Sequence, residues 1–137
     1  MPVLQNIVLT DRAATPVAHT FVPRDVTAGV GAVVESSGVA LGEPRFTISG
    51  RRSGAKWRSR LTLTIPVVQT ETINAISRPV VVRTGYATVD FTFDDSSSTQ
   101  ERKDLIGMLA SALGASALAS PKTLVEDTVV NQQGVWG

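Results

Sequence analysis

The sequence contains no cysteine and a single histidine, His19. The first absence excludes disulfide scaffolds, thiolate zinc sites, iron–sulfur clusters and cysteine nucleophiles. The second leaves little for acid–base catalysis, and a lone imidazole in the alternating run VAHTF reads as a structural or surface residue. Neither GxSxG nor HExxH occurs, so hydrolase chemistry lacks its usual parts. GRRSGAKW superficially suggests a phosphate loop, but Gly50, Gly54 and Lys56 miss the required spacing and Trp57 stands where a Ser or Thr would hold magnesium. No apolar run approaches the roughly 18 residues of a membrane span. The opening MPVLQNIVLTDR has no basic stretch leading into an apolar core, so no secretion signal is expected. Internal repeats and low-complexity linkers are missing too. The expectation is a non-enzymatic protein with no catalytic residue, no metal, no cofactor and no membrane partner.

What is present is a folding sequence. Its 137 residues are 42% hydrophobic and 18% charged with a net charge of +1, outside the low-hydrophobicity, high-charge regime of disorder. Length predicts a single domain over 1–137. The near-neutral total hides an asymmetry. Arg45, Arg51, Arg52, Lys56, Arg58 and Arg60 fall between Pro44 and Thr70 with no acid among them, while the rest of the chain is net acidic. A basic stretch inside a folding region, unlike a basic tail, means that the fold itself presents a positive surface.

Periodicity says how. In RFTISGR, Phe46 and Ile48 alternate with Arg45, Thr47, Ser49 and Arg51; in RSRLTLTIPV, Leu61, Leu63 and Ile65 alternate with Arg58, Arg60, Thr62 and Thr64. Residues two apart on a strand share a face, so these runs predict an antiparallel hairpin with one apolar face and one of Arg, Thr and Ser, joined by the turn-rich GRRSGAKW. Pro66 predicts a bulge or an edge, because it cannot donate to the ladder. PVVVRTGYATVDFTF, from Pro79 to Phe93, adds a third strand with Tyr86, Thr88, Asp90 and Thr92 on the polar side. Shorter β-prone runs lie at Val3–Leu9, Val17–Val22 and Val30–Glu35, broken by DRAATP, PRDVTAG and ESSGVALGEP. The polar QTETINAISR, from Gln69 to Arg78, reads as a long flexible connection.

After DDSSS the period changes to that of a helix. Ser98 and Glu101 have capping-box spacing, and Leu105, Leu109, Ala112 and Leu113 form one stripe. Asp94 and Asp95 read as acids meeting the helix dipole rather than as a metal site. Ser120 before Pro121 predicts a second helix, PKTLVEDTVVNQQ, stopped at Gly134. Strands first and helices last give an α+β fold, with a sheet region of about 1–94 and a helical region of about 96–133. Two helices cover only part of such a sheet, which leaves room for a partner chain.

The polar face is the positive functional signal. Arginines supply charge for phosphates, Thr and Ser hydroxyls both donate to and accept from base edges, and Tyr86 offers a ring to an unstacked base. Single-stranded RNA recognition uses this combination.

From Gly85 onward, GYATVDFTFDDSSSTQERKDLIGMLASALGASALASPKTLVEDTVV resembles the end of the coat proteins of single-stranded RNA bacteriophages, the levivirus group. The resemblance rests on the strand YA-x-V-x-F-x-F, the ER pair opening the helix and the LASP turn before the last helix. RFTISGRR…RSRLTLTIPVV is similar to the two central RNA-facing strands of that family. The resemblance implies an N-terminal β-hairpin, a five-stranded antiparallel sheet and two C-terminal helices that clasp a partner subunit in a homodimer with a continuous ten-stranded sheet. It implies a structural capsid protein whose dimers form a T=3 icosahedral shell, sheet inward on the single-stranded RNA genome, with the Gln69–Arg78 loop adjusting at the symmetry axes. It also implies binding of a genomic stem-loop, which represses replicase translation, and a place in the virion after assembly in the bacterial host cytoplasm.

Residue by residue, Thr47 and Ser49 match the positions lining an adenine pocket, and Tyr86 matches a Tyr that stacks on a loop base. Arg45, Arg51 and Arg58 match basic phosphate contacts, and Thr88 matches a position that contacts RNA. Arg60 stands where a Thr is expected and Thr62 where a Lys is expected, so the recognised hairpin is not carried over. The alternative reading is a dimeric RNA-binding translational repressor that forms no shell.

Overall fold

A computed structural model describes residues 3–36, 42–113 and 124–135. Six antiparallel strands lie in one sheet in chain order: β1 (Ile7–Thr10), β2 (Ala18–Thr27), β3 (Val30–Val34), β4 (Arg45–Ser53), β5 (Lys56–Ile73) and β6 (Ile76–Asp94). Two helices follow, α1 (Thr99–Ala112) and α2 (Leu124–Val129). The chain divides into two compact units, one of Met1–Thr10 with Ala18–Asp95 and the other of Asp11–Val17 with Ser96–Gly137.

Within the sheet unit β2 changes partners along its length. Ala18–Phe21 pairs with β1, and Val22–Thr27 pairs with β3. The result is the expected N-terminal hairpin and five-stranded sheet β2–β6, with β2 shared between them. The break expected over PRDVTAG shrinks to the turn at Ala28 and Gly29, because β2 runs on to Thr27. Pro23 is tolerated there since β2 has a neighbour on only one side at each level, so a missing donor can face the open side. Arg24 is the extra residue of a bulge in the β2–β3 register, and its guanidinium donates to Glu43 at 3.1 Å. Apolar burial concentrates here: among the described residues Phe21, Ala32, Val33 and Val34 form the buried hydrophobic core, Val33 at 0% exposure.

Two further expectations change and one holds. Gln69–Arg78 is not a loop; β5 and β6 stay paired through Ile73↔Ile76, and only Asn74 and Ala75 turn, both at positive φ (52° and 64°). This is the twist of a primed hairpin turn, which matches that of the strands it joins. Pro66 sits beyond the last β4 partner, Arg45↔Thr64, with a register shift next to it at Val67/Val68, so the expectation of a bulge or an edge holds in both respects. The turn of GRRSGAKW shrinks to Gly54 and Ala55 between paired Ser53 and Lys56, with Gly54 at φ 63°. Arg52 therefore belongs to β4, on the face opposite Arg51, and pairs with Asp95.

In the second unit, α1 opens as its sequence predicts. Ser98 accepts from the Glu101 amide at 3.2 Å while Glu101 accepts from the Ser98 amide at 3.3 Å, the reciprocal capping box. Arg102 braces this turn by donating to the Ser97 carbonyl at 2.6 Å. The N-cap of α1 is Ser98 rather than Asp94 or Asp95. Asp94 ends β6 opposite Lys56, and the Asp95 amide donates to the Ala55 carbonyl at 2.9 Å, so both close the end of the sheet. The Ser120–Pro121 start of the second helix lies outside the described residues. α2 ends at Val129, before Gly134, with Gln132 at φ 55° and the Gln133 amide donating to the Asp127 carbonyl at 3.1 Å.

Candidate nucleic-acid interface

Alternation along each strand and direct opposition across the ladder fix which side chains share a face. Arg45, Thr47, Ser49 and Arg51 on β4 stand opposite Thr64, Thr62, Arg60 and Arg58 on β5. Those in turn stand opposite Tyr86, Thr88, Asp90 and Thr92 on β6. All nine residues singled out from the sequence (Arg45, Thr47, Ser49, Arg51, Arg58, Arg60, Thr62, Tyr86 and Thr88) therefore fall on one face of three adjacent strands.

The face is built in rungs. The first carries Arg45, Thr64 and Tyr86, a residue 76% exposed. The second is all hydroxyl: Thr47, Thr62 and Thr88. Ser49, Arg60 and Asp90 form the third, Arg51, Arg58 and Thr92 the fourth, and Ser53, Lys56 and Asp94 the last. The hydroxyl row thus lies between Arg45 at one end and the charged rungs that run toward the other. Thr47, Ser49 and Thr62 are half-buried, whereas the arginines, Tyr86 and Thr88 are exposed.

Charge on the face is uneven in its commitments. Arg60 donates from Nε to Asp90 Oδ1 at 2.7 Å and from Nη2 to Oδ2 at 3.5 Å. Asp90 holds the guanidinium above its ordinary pKa, first through that hydrogen bond and then through its charge. Arg51 and Arg58 differ: they stand directly opposite each other, an arrangement that is unfavourable by itself. Among the described residues no carboxylate is recorded against either. A phosphate between them would relieve the repulsion.

Sequence reasoning put Asp90 on the polar side and Lys56 in the basic stretch but named neither as a contact of this face. The period that placed Tyr86 and Thr88 also places Asp90, and extending the β5 alternation back from Arg58 reaches Lys56.

The opposite face of the same strands carries Phe46, Ile48, Leu61, Leu63, Val89, Phe91 and Phe93. Trp57 lies over Gly50, where an added Cβ would approach the ring to 2.7 Å, and its indole N–H donates to Ser59 Oγ at 2.9 Å. Ile48, Trp57 and Ile65 on this face stay exposed, and α1 buries none of its residues. Among the described residues no cluster of three or more His, Asp or Glu could hold a metal, and no helix is long and apolar enough to cross a membrane.

Comparison with known proteins bears on this arrangement. The model of the levivirus coat protein family matches residues 2–136. The capsid protein of Pseudomonas phage PRR1 is 56% identical over 134 residues, covering 97% of this chain and 98% of that protein. The virus-like particle of bacteriophage ESE058 superposes with a TM-score of 0.84 at 24% identity, over 98% of this chain and 100% of that one. An unassembled bacteriophage coat protein dimer, described as an RNA-binding dimer, gives a TM-score of 0.67 at 20% identity over 98% of each chain. The match to the family model over nearly the whole length, with the PRR1 identity, shows that this chain belongs to the levivirus coat protein family, whose members are structural rather than catalytic.

Proposed function

We propose that this coat protein acts over its whole length as one shell subunit. It pairs with a second copy, assembles into an icosahedral particle and holds single-stranded genomic RNA against the polar face of β4–β6. The observation that carries the RNA assignment is the rung pattern. Arg51 opposes Arg58 across an exposed ladder, beside a hydroxyl row and an exposed Tyr86, an arrangement suited to phosphates at the ends and bases in the middle. The described dimer and particle of related fold support the assembly steps.

Pairing with a second copy follows from what one copy leaves uncovered. Among the described residues the buried apolar core is four, few for a six-stranded sheet, and β6 presents nineteen residues along an outer edge of the sheet. A partner that continues the sheet at β6 and lays its helices on the apolar face would answer both. Recognition of a genomic stem-loop that silences replicase translation belongs to the same face: Thr47 and Ser49 take an adenine, Tyr86 stacks on a loop base, and Thr62 and Thr88 contact the strand. The particle is assembled in the host cytoplasm and the protein resides in the virion.

The test is to express R51E/R58E and measure the nucleic acid content of purified particles by their 260/280 nm ratio. Packaged RNA is expected to fall at least severalfold with particles still formed. Unchanged content would move the RNA away from this face, and dimers with no particles for the unaltered chain would point to a repressor that builds no shell.

A further inference from the structure

The polar face carries a carboxylate at its centre, which a surface built only to hold phosphates would avoid. We infer that Asp90 is a base-reading residue of this face: its carboxylate, held in place by Arg60, accepts the exocyclic amino group of an RNA base, with cytosine N4 the clearest case. The inference rests on the RNA-binding reading above and adds a specificity to it.

Folding gives little reason for the pair. Arg60 and Asp90 remain 64% and 58% exposed, and ion pairs so open to water contribute little to stability. Function as a phosphate clamp gives less reason, since Asp90 cancels the charge of the arginine beside it. What the pair does achieve is orientation. The 2.7 Å bond from Arg60 Nε engages Oδ1, whereas Oδ2 receives only a long contact at 3.5 Å. An ionised carboxylate accepts at about four lone-pair positions, so Asp90 keeps acceptor capacity while Arg60 restrains its swing. Arg60 is thus a positioning residue and Asp90 the contact.

Placement fits a base rather than a backbone. Tyr86, Thr88 and Asp90 follow one another along the same face of β6, each about 7 Å from the next at the rise of an antiparallel strand. With one base stacked on the exposed Tyr86, neighbouring bases of an extended strand come over the hydroxyl row and then over Asp90. Phosphates meanwhile find Arg51, Arg58 and Lys56 one and two rungs further on, and Arg45 at the other end. Cytosine and uracil have the same outline but opposite chemistry at position 4: an amino donor in one, a carbonyl acceptor in the other. A fixed carboxylate attracts the first and repels the second.

The experiment titrates the full chain, freed of nucleic acid, with fluorescent oligocytidine and oligouridine of equal length at several salt concentrations, read by anisotropy. The unaltered protein is expected to prefer oligocytidine by about tenfold. D90N is isosteric and exposed, so folding is not at risk; it should reduce that preference to twofold or less, bind oligouridine more tightly, and steepen the salt dependence by about the 0.7 in slope that one extra phosphate contact gives on single strands. R60Q should lower the preference for oligocytidine to about threefold without abolishing it, as a carboxylate without its restraint discriminates less well; an undiminished preference removes Arg60 as the positioning residue. An unaltered protein that binds both oligomers equally, or a D90N variant with an unchanged ratio, overturns the inference and leaves the RNA face standing. Binding to neither oligomer by the unaltered protein overturns the RNA reading itself, and the inference with it.

Discussion

The β5–β6 ladder has two halves that differ in what lies beside them. From Lys56 to Thr64, β5 is flanked by β4 on one side and β6 on the other. From Ile65 to Ile73 it has β6 alone. In the flanked half the two faces are chemically distinct, one of Arg, Thr, Ser and Tyr and one of Phe, Leu, Ile and Val. In the projecting half the distinction fades: Val68 and Thr70 share one face, Glu71 and Ile73 the other, and every residue from Gln69 to Pro79 is exposed. Period two is thus written into a sequence by burial. Where neither face is covered, selection has no reason to sort side chains by polarity, and the strands pair through the backbone with only exposed cross-strand contacts beside it, Thr72 Oγ1 to Ser77 Oγ at 3.1 Å and Arg78 to Glu71 at 3.7 Å.

The sheet is most vulnerable at the buried core of β2 and β3, next to β4. Val33 is fully buried, opposite Phe46 on β4 and Pro23 on β2. V33D places a charge there with no partner, at a cost of more than about 4 kcal/mol. That approaches the whole stability of a small domain. Loss of the far-ultraviolet dichroism of the sheet and of soluble protein is the expected outcome. A folded variant would show that the sheet is held chiefly by contacts with other copies rather than by its own core.

Salt separates the two faces of the flanked half. Contacts from three to five cations to single-stranded RNA release counterions, so affinity should fall about ten- to a hundredfold between roughly 50 and 200 mM salt. Association through the apolar face should hold or strengthen over the same range, since burial of apolar surface is not screened. Parallel titrations of RNA binding and of subunit association read both. An RNA curve as flat as the association curve would remove the arginines from backbone contact.

The same physics decided how much was legible in advance. Alternation placed Thr47, Ser49, Thr62 and Tyr86 on one face because Phe46, Leu61, Leu63 and Val89 alternate with them, and the capping box at Ser98 and Glu101 is a local signal that needs no tertiary context. Arg52 was read as a turn residue because Gly50 and Ser53 disguise the end of β4; its true neighbour, Asp95, is distant in sequence and no local pattern announces it. Asp90 was seen but not understood, since its meaning depends on standing directly across from Arg60, a matter of register. QTETINAISR was read as a loop for lack of any buried face to impose a pattern. The shared use of β2 by hairpin and sheet was hidden by Pro23, which in a strand with two neighbours would have been an accurate stop sign.

The projecting half also holds the smallest testable effect. Its tip turns at Asn74 and Ala75, both left-handed. Asparagine tolerates that region, but alanine pays about 1–2 kcal/mol for its Cβ there. Glycine would remove that strain while losing about 0.4–1 kcal/mol through the greater freedom of its unfolded chain. The balance favours A75G by about 0.5–1 kcal/mol, and a two-stranded ribbon with no third strand is marginal enough to register it. The expected result is slower amide exchange at Ile73 and Ile76 with the flanked half unchanged. Faster exchange at the tip would mean that Ala75 is not left-handed in solution, and that the ribbon ends short of Ile73 in the open loop its polar sequence suggests.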